Sequence, residues 1–150
     1  MYQLYEYIKY MLPCLISWFL SQAVKMIICS IKKEQKNMFA SGGMPSAHTA
    51  VVLALVVRLF FTEGFGSPAF AVAFIYMIIT MFDAANVRLM TGYQSIEINR
   101  LMRDLYKDKP EEIKELEVIK GHTYAEIVVG AAIGILVTVV YQIIEQSLLR

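Results

Sequence analysis

Four apolar blocks, at about 10–31, 45–61, 69–82 and 123–148, are separated by polar connectors and constrain the fold more than any other feature. The first block, at about 10–31, reaches the ~20 residues that a helix needs to cross the hydrocarbon of a bilayer. Apolar residues make up 57% of the 150, above the roughly 45–50% of a soluble globular domain. That excess lies inside the blocks. Helices of a water-soluble bundle would each keep a charged face, and these do not. The expectation is an all-α integral membrane bundle of about four transmembrane helices with a cytoplasmic amphipathic helix. At this length it forms one domain over 1–150, multi-pass in the cell membrane.

No basic stretch precedes the first block and no small-residue cleavage site closes it, so a cleaved signal peptide is not expected. A net charge of +1 argues against nucleic acid as a partner, since such a surface is normally basic. Cys14 and Cys29 fall on one predicted helix, about 22 Å apart, and cannot bond to each other. Ser17, Ser21, Gln22 and Lys25 occupy an arc of about 140° on that helix. A lysine inside a span either snorkels to the interface or faces protein or water in a functional role.

Ten Lys and Arg residues lie in two connectors: Lys32, Lys33 and Lys36, then Arg88, Arg100, Arg103, Lys107, Lys109, Lys114 and Lys120. Only Lys9 and Arg150, at the termini, fall on the other side. The basic bias places both connectors in the cytoplasm and both termini outside. Residues 62–68 read as a tight turn. Residues 94–106 carry Ile96, Ile98, Leu101, Met102 and Leu105 with Arg100 and Arg103 between them, predicting an amphipathic helix on the membrane surface or against the bundle. Residues 108–120 are charged and mixed in sign, and predict a solvated short helix or loop. Gly130-x-x-x-Gly134, with Ala131 and Ala132, offers a smooth face for close helix contact.

The string Ser41-Gly42-Gly43-Met44-Pro45-Ser46-Ala47-His48-Thr49-Ala50 stands directly before the second block. Glycines permit tight turns, and a helix opening near Pro45 would aim backbone N–H groups and its positive dipole end at an anion. In the predicted topology this turn, Lys25, Asp83, Arg88, His122 and Glu126 all fall at cytoplasmic helix ends. His122 and Glu126, four apart, share a helix face. A carboxylate on one ring nitrogen fixes the tautomer and leaves the other nitrogen as a nucleophile. Lys25 and Arg88 can neutralise a phosphoryl group, and His48 can protonate a leaving oxygen. These are the parts for phosphoryl transfer through a phosphohistidine with no metal or cofactor. The set His48, His122, Glu126 and Asp83 could alternatively ligate Zn²⁺. Asp83 could pair with Arg88 or Lys25, or cap a helix.

These residues resemble the divergent branch of the type 2 phosphatidic acid phosphatase family, related to acid phosphatases and vanadium-dependent haloperoxidases. That family carries Lys-x6-Arg-Pro, Pro-Ser-Gly-His and Ser-Arg-x5-His-x3-Asp motifs. Here Pro45-Ser46-Ala47-His48 is similar to the second, with Ala47 for glycine. His122 to Glu126 resembles the His-x3-Asp part of the third, with glutamate for aspartate. Lys25-x6-Lys32-Lys33 matches the first loosely. The resemblance, which covers about residues 21–134, implies His122 as nucleophile, Glu126 as its orienting acid and His48 as general acid. It further implies that Lys25, Gly43, Ser46 and Ala47 hold the phosphate. Leu116 stands where the family has arginine, and Arg88, in a segment with Asp83, is the candidate that supplies this charge from another helix.

The expected function is a membrane phosphatase acting on a lipid phosphate or pyrophosphate at the cytoplasmic interface. The alternative is a non-enzymatic membrane protein binding anionic lipid headgroups or a partner through the same pocket. A homo-oligomer is compatible with either.

Overall fold

The computed structural model describes residues 5–6, 8–33, 42–109, 111, 113–118 and 121–148. Ser41, Lys36, Lys120 and Arg150 lie outside the described residues. The main helices are α1 (Met11–Ile31), α2 (Ala47–Glu63), α3 (Pro68–Phe82), α4 (Arg88–Leu105) and α5 (Tyr124–Leu148), with a π-helical turn, Asp83–Val87, joining α3 to α4. No β-strand occurs among the described residues.

Among the described residues, three stretches are long and apolar enough to cross a membrane: α1, the continuous helix Pro68–Leu105, and α5. The fourth helix, α2, has 17 residues, about 25 Å at 1.5 Å per residue. Its modest length suits its place, since it packs against α1, α3 and α5 together. The buried residues of α1 are Pro13, Ser17, Ser21, Lys25 and Cys29, one every fourth position. Leu15, Ile16, Phe19 and Ile27 are exposed on its other side. A small and polar inward face with an apolar outward face reverses the pattern of a water-soluble helix and is what a lipid surround demands. The polar arc predicted on α1 therefore faces the bundle.

Helices α2 and α5 run parallel and interlock at four-residue intervals. A Cβ built on Gly130 would lie 2.3 Å from the Ser46 carbonyl oxygen, and one on Gly134 2.3 Å from that of Ala50. Thr138 donates to the Ala54 carbonyl at 3.3 Å, and Arg58 bonds Gln142. The Gly130-x-x-x-Gly134 face thus makes the close contact its composition predicts. At the far end Arg58, fully buried, forms a two-pronged pair with Glu145, Nη1 to Oε2 at 2.6 Å. The Tyr141 ring lies 5.0 Å from the guanidinium. The arginine interrupting the second block is thereby neutralised inside the bundle.

Three helix starts follow from local chemistry. Ser67 accepts from the Phe70 N–H at 3.0 Å, with Pro68 in the first helical position, where its missing N–H is harmless. Thr123 and Glu126 form a capping box: Thr123 N–H to Glu126 Oε2 at 3.1 Å and Glu126 N–H to Thr123 Oγ1 at 3.3 Å. The second block corrects the predicted start, because α2 opens at Ala47 and Pro45 stands outside it. Ser46 is the cap, its Oγ accepting from the Thr49 N–H, and only a side chain with such an acceptor can do this.

The amphipathic helix also differs from expectation. It begins at Arg88, six residues earlier than predicted, and prolongs the α3 shaft. Its buried residues Gly92, Ser95 and Asn99 share one face. Along it runs the segment expected to be solvated. Asn99 clamps the Leu116 backbone through two bonds, Nδ2 to O at 2.9 Å and N to Oδ1 at 2.8 Å. Arg103 pairs with Glu115 at 3.0 Å. Further along, Gly121 abuts the Leu89 backbone, where a Cβ would sit 2.4 Å from the Leu89 nitrogen.

Candidate functional site

His122 and Glu126 form the core of the site. His122 Nδ1 lies 3.0 Å from Glu126 Oε2, and the histidine is buried. The same oxygen caps α5 through the Thr123 N–H, so the carboxylate is fixed by the backbone before it orients the ring. With Nδ1–H donating to that carboxylate, Nε2 carries the lone pair.

The backbone of His122 is anchored independently of its side chain. Its N–H donates to the Ala84 carbonyl at 2.9 Å. Ala84 opens this bond because its helix is π-helical there: the Arg88 N–H reaches back five residues to Asp83 O instead of four to Ala84. A carbonyl passed over in the ladder becomes available to a neighbouring segment.

The glycine turn approaches from α2. Gly42 and Gly43 have φ of +95° and +87°, a region open to glycine and strained for other residues. Gly43 faces Lys25, with a Cβ there falling 3.4 Å from Lys25 Cε, and Lys25 is buried. The Ser46 N–H donates to the Glu126 carbonyl at 3.0 Å, which joins this turn to the His122 turn. Ser46 itself is fully buried, its hydroxyl 2.9 Å from Thr49 Oγ1. The structure therefore places Ser46 Oγ in the helix cap, while Ala47 opens α2 and the exposed His48 follows it.

Arg88 Nε pairs with Asp83 Oδ2 at 2.7 Å, the first of the pairings that the sequence leaves open for Asp83. Arg88, His122, Asp83 and Lys25 lie near enough to His48 to perturb its imidazole. Lys25, Gly43, His48, Asp83, Arg88, His122 and Glu126 thus gather at one end of the bundle. Among the described residues, no three His, Cys, Asp or Glu side chains gather closely enough to hold a metal ion, so the four candidate Zn²⁺ donors do not form a set.

Three contributors were not named from the sequence. Thr123 was legible, since Thr-x-x-Glu before an apolar run is the capping-box pattern. Gly121 and the Ala84 carbonyl carry no such signal, because one lacks a side chain and the other acts through its backbone.

An all-helical bundle with apolar, membrane-length helices among its described residues makes this a membrane protein. Residues 8–137 match the model of the Divergent PAP2 family, and the chain belongs to that family. It is 36% identical over 144 residues to the "Uncharacterized membrane protein YuiD" of Bacillus subtilis (strain 168), covering 87% of this chain and 91% of the relative. No solved structure matches it.

Proposed function

We propose that the protein is a membrane phosphatase that hydrolyses a lipid phosphate or pyrophosphate at the cytoplasmic face of the cell membrane. The observation that carries this reading is the 3.0 Å contact between His122 Nδ1 and Glu126 Oε2, in a cluster that also holds His48, Lys25 and Arg88. His122 Nε2 attacks phosphorus, the bond from phosphorus to the leaving oxygen breaks, and His48 gives that oxygen its proton. Water then attacks the phosphohistidine and gives a proton to His48, so inorganic phosphate leaves and both histidines are restored. Lys25, Arg88 and the Gly43–Ala47 backbone offset the charge on the phosphoryl oxygens.

A lipid is favoured over a soluble ester by a groove of about 470 Å³ between α2 and α3. Leu55, Leu59, Val72 and Tyr76 are among its lining residues. His48, Leu55 and Leu59 are spaced seven and four apart, so they share a face of α2 at ~100° per residue. A phosphate at His48 would have its hydrocarbon chain directed along this groove.

The test is phosphate release from long-chain lipid phosphates by detergent-purified protein, lost in His122→Ala. Equal release by that variant would refute the reading. A second reading, binding of an anionic headgroup without turnover, draws on the Ser46 hydroxyl being committed to the helix cap. It predicts phosphate-lipid binding with no release across a broad substrate panel.

A further inference from the structure

The π-helical turn Asp83–Val87 interrupts what would otherwise be an unbroken 38-residue helix. In a regular α-helix, residues five apart point about 140° from each other, because each residue turns ~100°. An Asp and an Arg so spaced would not meet. The wider π turn brings Asp83 Oδ2 to 2.7 Å from Arg88 Nε. That same turn releases the Ala84 carbonyl to the His122 N–H at 2.9 Å. One inserted residue therefore does two things at once: it makes the ion pair, and it docks the pair's helix onto the backbone of the histidine.

The geometry of the guanidinium matters next. Asp83 takes Nε, and among the described residues neither Nη1 nor Nη2 of Arg88 has a hydrogen-bond partner. The Nη1/Nη2 edge is the one that receives two oxygens of a phosphoryl group in parallel. The pair is also half-exposed on both sides, so an oxyanion can approach Arg88 without first breaking a buried bond.

Leu116 cannot fill this role. Its backbone is clamped by Asn99, whereas Gly121, next to His122, abuts Leu89. Leu89 and Asn99 are ten residues apart on α4, about 15 Å along its axis. The position where the family has arginine is thus carried away from the histidine.

We infer that Asp83 is a positioning residue: through the π turn it holds Arg88 by Nε so that the Nη1/Nη2 edge is presented to a phosphoryl group at His122. This rests on the reading of the site as a phosphate site. It is independent of whether the phosphate is turned over.

The experiment is direct binding of inorganic phosphate and of a short-chain lipid phosphate to detergent-purified protein, with thermal melting of each variant alongside. Arg88→Ala and Asp83→Asn should both weaken phosphate binding by about ten- to a hundredfold, the value of a charge-assisted bond, with melting close to that of the parent. Arg88→Lys should not restore it, because an ammonium lacks the planar fork. Leu116→Arg added to Arg88→Ala should not restore it either. The charge swap Asp83→Arg with Arg88→Asp retains the pair but moves the cation, and should bind as poorly as Arg88→Ala. Unchanged affinity in Asp83→Asn, or recovery by Leu116→Arg, overturns the inference. Phosphate binding that depends on Asp83 without phosphate release would uphold it while removing the phosphatase reading. A melting loss in Asp83→Asn with parental affinity would show a structural pair only, and would overturn it as well.

Discussion

Gly130 meets Ser46 backbone to backbone: a Cβ on the glycine would lie 2.3 Å from the Ser46 carbonyl oxygen. Four residues after Gly130 the contact repeats at Ala50, and four residues before it Glu126 O accepts the Ser46 N–H. The distance between the glycine turn and the His122 turn is therefore set by how closely α2 and α5 approach.

Gly130→Ala or Gly134→Ala forces the two helices apart, since the obstructing atoms are backbone and cannot swing away. Overpacking of this kind costs about 1–3 kcal/mol. Both variants should melt at lower temperature in detergent, and Gly130→Ala should also lose phosphate affinity because it disturbs the site end. Gly66→Ala is the control, as nothing lies within 4 Å of a Cβ there. Parental melting of Gly130→Ala would contradict the close approach.

Glu126 performs two tasks that substitution can separate. Glu126→Gln retains a capping-box residue type at its position, but its amide can donate to His122 Nδ1 and so drive the proton to Nε2, removing the nucleophile. Phosphate release should fall by about 10²–10⁴-fold with little change in melting. Thr123→Ala should do the reverse, losing about 1 kcal/mol of cap while turnover largely persists. If the two variants gave the same ratio of activity loss to stability loss, the division of labour would be wrong.

Much of this was legible in the sequence, for stated physical reasons. Block hydrophobicity revealed the membrane bundle, and the polar arc of Ser17, Ser21 and Lys25 revealed which side of α1 faces inward. Spacing revealed the His122–Glu126 pair and the Gly130–Gly134 contact. What stayed hidden acts through the backbone. The start of α2 depended on whether Pro45 or Ser46 would serve as the boundary, and only the Ser46 hydroxyl can cap. The π turn has no residue signature, so α-helical spacing left the Asp83–Arg88 pair, five apart, as only one of the alternatives open for Asp83. The partner of Arg58 was equally invisible, because Glu145 lies 87 residues away on another helix.

That far-end pair yields a prediction separable from the site. Arg58 is 1% exposed and Glu145 10% at the side chain. Removing one partner strands a charge inside the bundle, with a penalty of several kcal/mol. Arg58→Leu and Glu145→Leu should each lower the melting temperature sharply. The double substitution should recover much of the loss, since an apolar pair leaves no stranded charge. Phosphate affinity, where the singles fold, should stay near parental because the pair sits at the opposite end of α2. Additive losses in the double variant would show that the pair is not coupled.

The groove between α2 and α3 separates substrate classes. Ala69 lines it and is exposed, so a larger side chain there fills the groove without displacing core. Ala69→Trp should raise KM for a long-chain lipid phosphate by about tenfold, the loss of one or two buried methylenes at ~0.8 kcal/mol each. A short-chain, water-soluble phosphate ester does not reach the groove, and its kcat/KM should be unchanged. Equal effects on both substrates would mean that the substitution disturbs the His48 end itself. No effect on either would mean that the hydrocarbon chain lies elsewhere, in contact with lipid and not with Leu55 and Leu59.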